Sequence, residues 1–356
     1  MKRFWFDTLL APARLKLFVW LSLVTQVLIV VTGGLVRLTG SGLGCPTWPK
    51  CTDDSLVSTQ EMGIHGIIEF GNRLLTFVLL IVALLTFATI YRQSAVKAEL
   101  APVLTAFFSS VALLVVGLAL SASGITPLSL ALLGFAGLGV LLFAGIFVVR
   151  SNAAERKGLL VPAFGLGFGI ILQAVVGGIT VLTELNSWIV GLHFVISGVL
   201  ISMASVLVAR ARMNFSAPVS SVSRALSWPT VAAGIVTVIV GVLVTGAGPH
   251  AGDALTPRNG LDLELWQHLH SYPGYIMLAL IVGQLAFQLR HSPGLFQTLP
   301  NRILTLLLAA SVAQAIVGVI QARTGVPEFL VAIHMLGAAV LCSLITFQLL
   351  ALRQRR

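Results

Sequence analysis

The sequence predicts an all-α polytopic membrane protein of about ten transmembrane helices: two four-helix bundle halves related by a parallel repeat, with an inserted helical hairpin in the first half. Three observations carry this. Of 356 residues, 57% are hydrophobic and 10% charged, and the mean hydropathy is +0.99, too little polar surface to cover a soluble globule. The apolar residues come in runs of about 20 without the period-two alternation of barrel strands, and in hydrocarbon such runs satisfy their backbone amides as helices. Finally, one unit occurs twice. Gln173-Ala-Val-Val-Gly177 is followed 20 residues after its glutamine by His193, and Gln314-Ala-Ile-Val-Gly318 is followed at the same interval by His334.

Taken in order, the apolar runs predict spans at 17–37, 64–91, 101–122, 128–149, 159–182, 188–209, 228–247, 266–289, 302–322 and 329–352. Lys2-Arg3 ahead of the first run has the look of a signal peptide. The run is long enough to span and no small-residue cleavage site follows it, so it reads as a retained helix. With the N-terminus inside, seventeen Lys and Arg fall in inner segments, among them Lys2, Arg3, Arg92, Arg156, Lys157, Arg290, Arg355 and Arg356. Only Arg37, Lys50, Arg258 and Arg323 fall outside, and Arg73 lies within a span. This bias places both termini in the cytoplasm. The lack of an Arg- and Ser-rich transit segment points to a bacterial plasma membrane. The net charge of +10 is mostly this rim beside lipid headgroups, so nucleic-acid binding is the poorer explanation.

Cys45 and Cys51 lie in the first outer loop, on the oxidising side, and read as a disulfide in preference to free thiols or a cycling redox pair. Cys342, alone in the last span, reads as packing. Trp48, Trp188 and Trp266 near outer span ends read as interface anchors.

The repeat extends beyond its two histidines. Gln267-His-Leu-His270 opens one span and Glu69-Phe-Gly-Asn72-Arg73 opens another, which puts His270 in register with Asn72. His270 to His334 is 64 residues and Asn72 to His193 is 121; the excess of 57 is the size of one helical hairpin, supplied by the spans at 101–122 and 128–149. The chain thus divides into an N-terminal half, 1–212, carrying the hairpin 95–157, and a C-terminal half, 213–356. The hairpin has no histidine and no intramembrane acid or base, and reads as packing or a partner surface.

Asn72, His193, His270 and His334 share one depth, within about 7–12 Å of the outer surface at a rise of about 1.5 Å per residue. Two histidines from facing helices at matched depth suit a haem iron clamped from both faces, and His270 with His334 fits this. Zinc would want three or four converging ligands, and a proton relay would want a ladder of acids. Taken singly, any of these histidines reads equally as a buried hydrogen-bonding residue at a helix contact. Gly177-Gly178 and Gly318, about one turn after their glutamines, let helices approach and keep a flat ring site open. His65, Glu69 and Asn72 share one helix face, with Arg73 adjacent. Arg73 either neutralises Glu69 or holds a haem propionate and leaves Glu69 free for proton transfer. His250 reads as solvated or propionate-facing and His291 as exposed. His268 lies on the opposite side of its helix from His270.

Gly33-Gly-Leu-Val-Arg37-Leu-Thr-Gly-Ser-Gly-Leu-Gly-Cys45-Pro-Thr-Trp-Pro-Lys-Cys51, Ile68-Glu69-Phe-Gly-Asn72-Arg73, the hairpin from Gln173 to His193 and Gly248-Pro-His-Ala-Gly-Asp253 together resemble the haem A synthase family. The resemblance covers everything except the inserted hairpin, and the first loop is its most specific part. It implies a permanent haem b between His270 and His334. It also implies a first half that receives haem O, delivered by a haem O synthase, and oxidises the C8 methyl to a formyl group, giving haem A for cytochrome oxidase, with Glu69 as the essential glutamate.

Asn72 departs from that pattern, since many members have histidine there. An amide is a poor iron ligand beside imidazole, so His193 alone is expected to hold the substrate iron, leaving a face open or water-occupied beside Glu69 and Asn72. His65 is the rival ligand, about 10 Å from Asn72 along the helix. The alternative functions are a membrane b-type cytochrome carrying electrons to or from quinone, and a transporter built on the repeat. Glu69, and the lack of a second first-half histidine, argue against the first. The lack of helices broken at mid-depth argues against the second. The electron partner, the oxygen source and homo-oligomerisation stay open.

Overall fold

The computed structural model describes residues 8–122, 126–154 and 158–353, and so leaves out the rim charges Lys2, Arg3, Arg156, Lys157, Arg355 and Arg356. Ten helices are long and apolar enough to cross a membrane, and the described residues contain no strand. They are α1 (Leu15–Leu38), α2 (Gly63–Gln93), α3 (Lys97–Ala122), α4 (Thr126–Ala154), α5 (Leu160–Leu182), α6 (Ser187–Arg212), α7 (Ser227–Ala247), α8 (Leu263–His291), α9 (Leu299–Arg323) and α10 (Glu328–Arg353). Several begin a few residues before the apolar run, because polar caps lengthen them. Asp262 and Thr298 accept the backbone N–H of Leu265 and Asn301 at the starts of α8 and α9.

The polarity is that of a protein in lipid. Phe77, Phe135 and Leu138 are largely exposed, whereas Gln26, Glu69, Gln284, Gln288 and Gln348 are buried. At the inner ends, Gln284 donates to Ser223 O and accepts from Thr230, and Gln288 donates to Pro218 O and accepts from Ser220 N–H. Both amides, each giving one bond and accepting one, tie the segment between the halves to α8.

The chain forms two compact units. One contains Leu85–Phe164, the hairpin α3–α4 with the helix ends that flank it. Phe87, Phe107, Phe147 and Phe164 fasten it, with ring centroids 4.5–6.1 Å apart.

The other unit contains Lys16–Leu84 and everything from Gly165 onward. Here α7 packs on α8, α8 on α9, α9 on α10 and α10 on α7, a closed four-helix ring with a lower core of Met277, Ile281, Leu307 and Leu341. The hairpins α5–α6 and α9–α10 turn alike. Glu184 and Leu185 both have positive φ, as do Gly325 and Val326 at the corresponding positions. In each turn the second residue's N–H returns to a carbonyl five back, Leu185 to Thr180 and Val326 to Gln321, at 2.8 and 2.9 Å. Holding three non-glycine residues at positive φ costs about 1–3 kcal/mol each, and packing must repay it: Leu185 is buried under Gly42 and Gly252.

The first loop folds back onto α2. Trp48, expected as an interface anchor, lies over Gly178, where a Cβ would fall 2.3 Å from its ring. Gly44 sits so close to the start of α2 that a Cβ would fall 2.2 Å from the His65 carbonyl oxygen. Gly44→Ala should therefore lower stability by about 1–3 kcal/mol through overpacking against backbone. Gly71→Ala, in α2 with nothing within 4 Å, should be neutral or stabilising. Thermal unfolding of the detergent-solubilised protein compares the two.

Candidate functional site

A cavity of about 2170 Å³ lies within the larger unit, lined by Glu69, Asn72, His193, His270 and His334 among others. It is larger than the roughly 300–1,000 Å³ of one small-molecule pocket, enough for two. Its walls repeat. Gln173 Nε2 donates to the His193 backbone oxygen and Gln314 Nε2 to that of His334, both at 2.9 Å. Opposite each imidazole stands a glycine. A Cβ on Gly177 would lie 3.3 Å from His193 Cε1, one on Gly318 3.1 Å from His334 Cε1, and one on Gly241 2.8 Å from His270 Cε1. Each glycine leaves the width of a ring edge between two helices. The Nδ1 atoms of His193, His270 and His334 are all buried without a hydrogen-bond partner.

In the second half, the His270 and His334 ring centroids are 6.3 Å apart with planes at 71°. Two imidazoles holding one metal between them, each nitrogen about 2 Å from it, put their centroids about 6 Å apart. The pair thus has the spacing for one iron, over a floor that includes Met277 and Leu341.

The first half has no such pair. Asn72 Oδ1 accepts the Thr32 hydroxyl at 2.8 Å. His65 is exposed and off the cavity wall, its Nδ1 2.8 Å from Ser41 Oγ. Glu69 is 6% exposed, and its carboxylate is held on two sides. Oε2 accepts the Cys45 N–H at 2.5 Å, and Oε1 accepts from Arg73 Nε and Nη2 at 3.1 and 2.6 Å. Arg73 also donates to the carbonyls of Cys45, Thr47 and Lys50. All five guanidinium N–H groups are then committed, so Arg73 neutralises Glu69 and has no donor left for a propionate. Cys45 and Cys51 form a disulfide.

Two residues here were not singled out from the sequence. Thr32 lies behind the wall and reaches it through Asn72. Arg37 was counted as an outer charge; it lines the cavity, gives Nη2 to Thr245 O at 2.6 Å and keeps a buried Nε without a partner. His250 bonds the Val326 carbonyl at 2.8 Å and ties outer loops together, His268 lines the cavity, and His291 is exposed.

Residues 16–132 match the family model COX15-CtaA, described as cytochrome oxidase assembly protein. Over that segment the chain is similar to this family. The motif resemblance spans both halves and skips the hairpin; the family match instead runs through α3 and stops before α5. Among curated proteins, the chain is 32% identical over 98 residues to the haem A synthase of Geobacillus thermodenitrificans, which covers 27% of this chain and 30% of that protein. It is 30% identical over 80 residues to the haem A synthase of Geobacillus kaustophilus, 22% of this chain and 24% of that one. The alignable part thus spans less than a third of either relative.

The Glu69–Arg73 pair can be tested directly. Arg73→Leu strands a buried carboxylate and should cost about 3–5 kcal/mol. Adding Glu69→Gln should recover most of that loss; a double-mutant cycle on denaturant-unfolding midpoints measures the coupling.

Proposed function

We propose that this chain is a haem A synthase: it takes haem O and oxidises the C8 methyl group to a formyl group, supplying haem A for cytochrome oxidase. Residues 1–212 form the substrate half and 213–356 the half that keeps a haem b. His270 and His334 hold the haem b iron, and His193 holds the substrate iron from one face. The observation that carries this reading is the glutamine, glycine and histidine geometry common to both halves, joined to a second imidazole in the second half only. A symmetric electron-carrying cytochrome would need that second imidazole in both.

When bound, haem b supplies one-electron redox chemistry. The chain's own residues do the rest. Gly177 makes room for the His193 ring on the cavity wall, and Gly178 for that of Trp48. Glu69 is the acid–base group of the cavity wall, and Arg73 balances its charge so that the carboxylate tolerates burial. Converting the methyl into a formyl group is a four-electron oxidation that adds one oxygen atom: with that atom taken from water, four electrons and four protons leave for an acceptor such as a membrane quinone, and with it taken from dioxygen a donor must instead supply electrons. Substrate arrives from a haem O synthase in the same membrane. The protein sits in a bacterial plasma membrane with both termini cytoplasmic, a placement supported by the distribution of Lys and Arg.

Expressed in a host that makes haem O, the protein should yield haem b together with haem A or a hydroxylated haem O when its pigments are extracted and chromatographed. His193→Ala should abolish the modified haem and retain haem b, and His334→Ala should lose haem b. Two haem b per chain, unchanged by haem O supply, would establish the electron carrier instead.

A further inference from the structure

Asn72 occupies the slot that His270 occupies in the other half, and each is backed by a glycine of the preceding helix. His270 comes within 2.8 Å of where a Gly241 Cβ would lie, while Asn72 Nδ2 stays 3.9 Å from the corresponding point at Gly33. The shorter side chain therefore leaves room where the second half has a ring. Its amide is also oriented. Oδ1 is committed to the Thr32 hydroxyl at 2.8 Å, shorter than that hydroxyl's 3.3 Å approach to the Ile29 carbonyl. What remains on the cavity side is Nδ2 with two N–H groups. An amide nitrogen has its lone pair delocalised, so it donates hydrogen bonds and does not ligate a metal. Glu69, one turn earlier on the same face of α2, also lines the cavity and brings a carboxylate to the same wall.

We infer that Asn72, oriented by Thr32, is a hydrogen-bond donor to a small oxygen-bearing molecule held on the open face of the substrate ring, and not a ligand to its iron. This rests on reading the first half as the substrate site. Donor and acceptor on one wall select a molecule that carries both lone pairs and an exchangeable proton, such as water, and the N–H polarises any acceptor atom seated there. Histidine at this position would close the face, and leucine would leave it open without a donor.

Carbon monoxide is the probe, added to the reduced protein loaded with haem O, with the C–O stretch read by infrared or resonance Raman spectroscopy. The wild type should bind one carbon monoxide per chain. Asn72→Leu should keep that binding and move the stretch to higher frequency, as loss of a donor requires. Thr32→Val should move it in the same direction by less, and Asn72→Gln should restore it in part. Asn72→His should abolish carbon monoxide binding and turn the substrate haem low-spin. The haem b spectrum of each variant reports that the fold is intact.

An unchanged stretch in Asn72→Leu overturns the donor role. An unchanged stretch in Thr32→Val overturns the orienting role. A wild type that binds no carbon monoxide, with both haems low-spin, shows a closed face and overturns the inference. His193→Ala separates this from the reading beneath it. If carbon monoxide binding persists unaltered there, the substrate site is not where it has been placed. If it is lost there while Asn72→Leu leaves the frequency unmoved, the site stands and only the donor falls.

Discussion

The glutamine amide that donates to the backbone carbonyl of a histidine on the neighbouring helix, made once by Gln173 and once by Gln314, is the contact on which the rest of the cavity wall depends. In a helix that carbonyl already serves the N–H four residues on, and that of His193 also accepts the Ser197 hydroxyl, so the amide is an added donor to it. In hydrocarbon neither the amide nor the carbonyl has water as an alternative, which holds the two helices in one register. That register puts Gly177 against His193 and Gly318 against His334. A slip of one residue would bring Val176 against His193, or Val317 or Val319 against His334, and close the gap.

The two halves share this frame and differ in what it presents. In the second, two imidazoles face each other at the separation one iron requires. In the first, the corresponding position is an amide tied to Thr32, and the wall beside it carries a buried carboxylate. Glu69 is tolerated because Arg73 and the Cys45 amide share its charge. The cystine closes a short loop and so limits where Cys45 can be, which makes the first outer loop part of the site. Its most recognisable residues, Gly42, Gly44 and Trp48, are those on which α2 and the α5–α6 hairpin rest.

Hydropathy and charge suffice for the ten helices, because lipid allows no other way of satisfying a long apolar backbone. The repeat was equally legible, since Gln, Gly and His at identical intervals are harder to get by chance than the Val, Ala and Gly around them. So was the one face shared by Glu69 and Asn72, because helical periodicity is a local property. The choice between two roles for Arg73 was not, because it turned on where the carbonyls of Cys45, Thr47 and Lys50 come to rest, and these belong to a loop whose path no periodicity constrains. The place of His65 beside Ser41, that of Trp48 over Gly178 and the partnership of Thr32 with Asn72 were hidden for the same reason. The sequence by itself determined which residues share a helix face, because that follows from local periodicity. Only the tertiary structure decided which faces meet, because that depends on side chains packing across chain separations far longer than any helical period.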